Sequence, residues 1–230
     1  VAARHAVDSL QGIMTLDDST SQSAALALLR LYEVDRAPRF LNGAKRFGDL
    51  LVNLKDVAHD GLFPYRNGGF PQIMPFELAM SVIVNQNLDT RNPDGPYMPH
   101  KTNNDNTTAH SLIFLSELHR VSGESRYGAA HRLTIDWLLE RHAAYGYRGW
   151  AQQYHWRDDR MAWGRTLEPP AFVTCENDIV SALLLARMRE TDPQRRTRIE
   201  TSVQRYIEWL RDDVARPTGF PNEVWRYYNH

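Results

Sequence analysis

Two side chains in this sequence have types and surroundings suited to joint chemistry. Asp105 lies in Thr102-Asn-Asn-Asp-Asn106, just before an apolar-periodic segment. Arg165 lies in Trp163-Gly-Arg-Thr-Leu-Glu168-Pro-Pro170, a stiff and aromatic segment. A carboxylate among amide side chains offers the oxygen ligands that a hard cation such as Ca²⁺ accepts in flexible geometry. Asp or Asn at that place also serves as a helix N-cap, though Asn106 or Thr107 could fill that role alone. Both readings stay open on the residues themselves. Arg165 could grip a carboxylate in bidentate fashion, and spacing supports nothing further.

The remaining reactive residues narrow the field. The nine histidines are scattered, and His5, His59, His110, His119 and His155 show no ligand spacing with a carboxylate. No HExxH, G-x-S-x-G, P-loop or dinucleotide fingerprint occurs. The single cysteine, Cys175, excludes an intramolecular disulfide framework and a Cys-rich zinc site. The 27 basic and 28 acidic side chains leave a net charge of −1, which gives no general field for nucleic acid or an acidic membrane. No apolar run reaches the length of a membrane span. Val1-Ala-Ala-Arg-His5 lacks the apolar core of a signal peptide, and a secreted chain already processed would look the same. Six Trp and ten Tyr suit a surface that handles flat amphipathic ligands such as sugars, and they suit an ordinary core equally.

The elements that must position these residues repeat. Three segments read alike: Ser21–Leu54, Thr107–Arg141 and Asn177–Arg211. Arg30-Leu-Tyr32 matches Glu117-Leu-His119 and Arg39-Phe40 matches Arg126-Tyr127, both at an offset of 87. Each copy holds two helical patterns. In the second copy Leu112, Leu115 and Leu118 form one stripe, and Leu133, Trp137 and Leu138 another. Turn chemistry separates them at Asp35-Arg-Ala-Pro38, Ser122-Gly-Glu124 and Thr191-Asp-Pro193. A glycine and an aromatic ring follow each copy: Gly69-Phe70, Gly149-Trp150, Gly219-Phe220.

Each copy is therefore a predicted helix hairpin that must stack on its neighbours to bury its stripes. An open stack gives a TPR-like solenoid. A curved stack gives an (α/α) toroid with a central cleft. Extended signals are few, at Phe63–Arg66 and Trp150–Tyr154, so the expected fold is all-α with few short strands, one domain over residues 1–230. Function is expected in the loops between hairpins. They include the long polar stretch Ile73–Lys101. The repeat offset also maps Asp18 onto Asp105, which sets Asp17-Asp18 at the equivalent helix start.

At these loops the sequence resembles the family 10 pectate lyases. Asp17-Asp-Ser-Thr-Ser21 with Leu29-Arg-Leu-Tyr32 is similar to the family's D-N-G-A-T element and the L-A-R-V-Y that follows it. Asn67-Gly-Gly-Phe-Pro-Gln72 is similar to N-G-G-W-P-Q, and Asn104-Asp-Asn106 to T-F-N-D-N. Trp150-Ala-Gln-Gln153 is similar to W-C-A-Q-H, Gly164-Arg-Thr-Leu-Glu168-Pro-Pro170 to A-R-A-Y-E-L-P, and Thr174-Cys-Glu176 to S-x-S-E-S. The shared order of these short elements carries the resemblance.

The resemblance implies an α/α-toroid enzyme that cleaves polygalacturonate by β-elimination. It implies Arg165 as the base, Ca²⁺ held by Asp17 and Asp105, and substrate contacts from Gln72, Trp150, Gln153 and Glu168. It further implies a secreted or periplasmic monomer with no nucleic-acid or membrane partner. Departures bear on this. The family's aromatic residue before N-D is Asn103 here. The Ile73–Lys101 stretch is longer than the family's. The family's arginine after a W-A-R-F-Y element has no counterpart after Trp225-Arg-Tyr-Tyr228, as expected of a domain cut short at its C-terminus or of an altered substrate grip. A non-catalytic polyuronate-binding protein on the same fold is the alternative expectation, and a TPR-like interaction module a third.

Overall fold

A computed structural model describes residues 20–56, 101–102, 107–151, 153–154, 172–173, 178–215 and 228–229. Among these residues six α-helices form three hairpins: α1 (Thr20–Asp35) with α2 (Pro38–Asp56), α3 (Thr107–Ser122) with α4 (Ser125–Ala144), and α5 (Ile179–Arg189) with α6 (Pro193–Trp209). Helix α6 runs on into a π-helical turn, Leu210–Ala215. The fold is all-α, and the three hairpins fall where the internal repeat puts them.

Local chemistry sets each hairpin turn. Arg36 takes a φ of 58°, which ends α1, and Pro38 opens α2, where its missing N–H costs nothing. Gly123 takes a φ of 73° and its amide donates to the His119 carbonyl, closing α3. Asp192 caps α6 by accepting from the Gln194 amide at 2.9 Å, with Pro193 in the first turn.

The hairpins stack in sequence order as two rows. Helices α1, α3 and α5 pack side by side, while α2, α4 and α6 form the second row. Between the first two hairpins lies one apolar cluster, with Leu29, Phe47, Leu51, Phe114, Leu115, Leu118 and Tyr127. Between the second and third lies another, with Leu112, Ile135, Trp137, Leu138, Trp150, Leu183 and Trp209. Leu112, Leu115 and Leu118 are all fully buried, as the stripe predicts, but they serve different clusters, because α3 is covered on two flanks. Leu133 corrects the expected stripe of α4: it is 39% exposed, and Ile135 takes the core position. Trp137 and Leu138 are buried as expected.

An ion cluster spans the first row. Glu117 on α3, only 7% exposed, accepts from Arg120 Nη2 at 2.9 Å and pairs with Arg189 of α5 at 2.5 Å and Arg30 of α1 at 3.4 Å. Arg120 also binds Glu33 of α1. Glu33 and Arg120 are 87 residues apart, the repeat offset, as are Arg30 and Glu117. Equivalent positions of successive hairpins thus carry opposite charges and meet. Burial alone would raise the Glu117 carboxyl pKa, but hydrogen bonds from Arg120 and Arg189 outweigh it and hold the group below its ordinary value. Bonds from Arg120 and Arg30 bring Glu33 down to about 2.

The described residues also include five two-residue strands: β1 (Lys101–Thr102), β2 (Trp150–Ala151), β3 (Gln153–Tyr154), β4 (Phe172–Val173) and β5 (Tyr228–Asn229). The extended piece expected at Trp150–Tyr154 is present and divides its pairing. Its first half joins β4, which joins β5, and its second half joins β1; every pairing is antiparallel. The Phe63–Arg66 piece, the Ile73–Lys101 stretch, Cys175, Gly69-Phe70 and Gly219-Phe220 lie outside the described residues.

Two stability tests follow from this packing. Gly149 has a φ of 91°, and a Cβ there would sit 3.1 Å from Trp209 Cζ3 and 3.3 Å from Tyr206 Cε2. Gly149→Ala is expected to cost about 2–4 kcal/mol through combined backbone strain and overpacking. Urea unfolding followed by tryptophan fluorescence reads this, and an unchanged midpoint would contradict the packing. Glu117→Gln leaves three guanidiniums facing a neutral amide and is expected to cost about 1–3 kcal/mol, discounted for the part-exposed arginines. Because the folded pKa is depressed, the wild-type contribution is present above pH 4.5 and is lost as pH falls below it. Denaturant titrations of both proteins should therefore converge in acid; a constant difference between them would refute the assignment.

Candidate functional site

The described strands pair short segments that flank several of the sequence-predicted residues. In β1, Lys101 pairs with Tyr154 and Thr102 with Gln153. This sets the chain three residues before Asp105 against the segment bearing Gln153. In β2, Trp150 pairs with Val173 and Ala151 with Phe172, so the segment after Glu168 lies beside the Gly149-Trp150 turn. In β5, Tyr228 pairs with Val173 and Asn229 with Phe172, which adds this strand to the same sheet. Helices α3 and α5 both begin at this end, at Thr107 and Ile179. The N-terminal ends of both helices carry partial positive charge there.

The side chains themselves divide. Asp17, Gln72, Asp105, Arg165 and Glu168 lie outside the described residues, as does the side chain of Gln153. Trp150 is described, and it corrects its expected role as a substrate contact. It is 1% exposed; its indole N–H donates to the Leu138 carbonyl at 2.9 Å, and its ring stacks on His142 with centroids 4.1 Å apart. An indole held this way shapes the base of the loop from within the core and presents no face to a ligand. Trp137 and Trp209 are buried too, which favours the core reading for these three tryptophans.

Burial also governs His142. Desolvation first of all lowers its pKa to about 4, and its Nδ1 lies 2.6 Å from Ser202 Oγ. The ring is therefore neutral in the folded protein at pH 7 and acts as a stacking plate beneath Trp150.

His110 shows no ligand spacing along the chain, yet the tertiary structure gives it a carboxylate partner. Its Nε2 lies 2.9 Å from Asp178 Oδ2. His110 stands in the first turn of α3, and Asp178 is the N-cap residue of α5. The Asp178 carboxylate makes no capping bond; its backbone carbonyl accepts from Ala182, and the carboxylate turns to the neighbouring helix. A separation of 68 residues hides this pair from any spacing rule. The only available signal was the repeat, which places both residues at helix starts. Among the described residues no group of three or more His, Cys, Asp or Glu is arranged to hold a metal ion. The arrangement at this end thus combines loop segments drawn together by strand pairing, two helix starts and one His–Asp pair at the mouth of the α3–α5 seam.

No protein-family model matches the chain, and no curated protein does. A solved structure decides the fold. It is a mutant of a family 10 polysaccharide lyase from Cellvibrio cellulosa in complex with trigalacturonic acid, with a TM-score of 0.60 over 87% of this chain at 18% identity. The two proteins share a fold. At that identity the likeness is one of architecture. The chain spans 57% of the length of that structure.

Core chemistry at this site yields a pH test. Because the folded pKa of His142 is about 4 against an ordinary 6.5, its neutrality stabilises the fold fully above pH 6.5. That contribution declines as pH falls from 6.5 toward 4. Chemical denaturation across this range should show a loss of stability that is smaller in His142→Gln. Identical slopes in the two proteins would show that His142 is not held neutral.

Proposed function

We propose that this protein is a calcium-dependent polysaccharide lyase that cleaves polygalacturonate by β-elimination. The observation that carries the reading is the fold shared with a lyase structure in complex with trigalacturonic acid, and the pairing of the short strands β1–β5 near the start of α3 and α5 supports it. The order of the short sequence elements, from Asp17 to Glu176, supports it from the other side.

In this reading the row of α1, α3 and α5 lines a toroid cleft. Asp17 and Asp105 would hold Ca²⁺, since their hard oxygen donors suit that ion. The bound cation would stabilise the charge that develops on the uronate. Arg165 takes the C5 proton, the C5–H electron pair forms the C4=C5 bond, and the C4–O4 bond breaks. The departing O4 takes a proton from solvent, to which Arg165 gives up the C5 proton, leaving an unsaturated uronide. A neutral guanidine is needed for the first step, which a cleft crowded with positive charge favours. Gln72, Gln153 and Glu168 orient the sugar. Trp150 contributes through the loop it anchors. Secretion and a monomeric state belong to the same proposal.

The test is direct. Mixing the protein with polygalacturonate and calcium at alkaline pH is expected to raise the ultraviolet absorbance of the unsaturated product, and a chelator should abolish the rise. Arg165→Ala should lower kcat by about 10³-fold or more while retaining substrate binding, as expected for the loss of a proton-transfer group with its charge. No absorbance gain with intact binding in affinity electrophoresis would replace the lyase with a polyuronate-binding protein. Full activity in Arg165→Ala would remove that residue as the base.

A further inference from the structure

The opposite end of the helix rows carries a second concavity with different chemistry. A cavity of about 490 Å³ opens where α3 and α5 finish and α4 and α6 begin. Four guanidiniums line it, Arg120, Arg132, Arg189 and Arg195, together with the imidazole of His131. Ten residues of α3 separate His110 from Arg120, roughly 15 Å along the axis, so this cavity is distinct from the loop end.

The positive charge is only partly compensated. Arg195 is matched by Asp136, Glu190 and Asp192. Arg120 directs Nε and Nη2 to Glu117 and Glu33; Arg189 directs Nη1 and Nη2 to Ser116 and Glu117. These contacts fix both forks in place and leave further N–H donors. Arg132 is exposed and bonds to no described residue. His131 Nε2 is buried without a hydrogen-bond partner among the described residues. Glu190 and Asp192 are the lining carboxylates, and both face Arg195.

We propose that this cavity is a binding site for a small molecule bearing a compact oxyanion, phosphate or carboxylate, gripped by Arg120, Arg132 and Arg189 beside His131. Planar guanidiniums already oriented by Glu117 match the paired oxygens of either group, and little side-chain freedom is lost on binding. The state of His131 agrees. Burial first, then the positive charges of Arg132, His119, Arg189 and Arg195, lower its pKa to about 4. An anion among these groups would relieve that field and raise the value. The site is independent of the lyase reading, since no residue proposed for β-elimination lines it.

Nuclear magnetic resonance of the histidine rings in the full chain tests the proposal, with inorganic phosphate and sodium galacturonate as separate titrants. Saturable shifts at His131 and an upward move of its titration midpoint are expected with at least one of them; the arm that responds identifies the source of the oxyanion. Arg132→Gln, an exposed change expected to leave folding and polygalacturonate cleavage intact, should weaken binding about tenfold. No response at His131 in either titration overturns the proposal, and so does equal affinity in the Arg132→Gln protein.

Discussion

One carboxylate holds a central place in this fold. Glu117 is nearly buried, and guanidiniums from α1, α3 and α5 converge on it. A lone buried carboxylate would be costly, so the three helices that supply its partners must keep their spacing and axial register. The apolar clusters on either side of α3 tolerate small slides, because hydrophobic contact is not directional. The ion cluster does not tolerate them. It converts two greasy interfaces into one indexed row of helices.

That indexing has consequences at both ends of the row. At the start of α3 and α5 it brings His110 to Asp178, and it gives the two-residue strands a fixed frame on which to pair. Strands this short contribute little stability themselves. They work here because their flanks are anchored: Gly149 turns against Trp209 and Tyr206, and Trp150 plugs the core between Leu138 and His142. At the finish of the same helices the same salt bridges leave arginine forks oriented around a cavity. One row thus presents helix starts and loop segments at one end and guanidiniums at the other.

The repeat was legible because a helix hairpin is a local object. Its stripes recur every three or four residues and its turns use Gly, Pro and Asp in known conformations, as Gly123, Pro193 and Asp192 do. Leu133 was misassigned to the core because an amphipathic stripe is read relative to one partner, whereas α4 packs against helices of both neighbouring hairpins and rotates Ile135 inward. The resemblance of Trp150-Ala-Gln-Gln153 to W-C-A-Q-H implies a substrate contact at Trp150, but a short motif match does not say whether the ring faces ligand or core. His110 and Asp178 were invisible as a pair because their contact crosses two repeats.

By itself, then, the sequence determined the all-α class, the three hairpins, their turns and the loops in which chemistry would be sought, since each of these depends on interactions within a few residues. The tertiary structure alone decided which equivalent positions touch, which tryptophans are withdrawn from solvent, and how loops distant along the chain are drawn to one end. Those outcomes rest on long-range packing and charge pairing between hairpins. The free energy of such contacts depends on three-dimensional register and leaves no periodic trace along the chain.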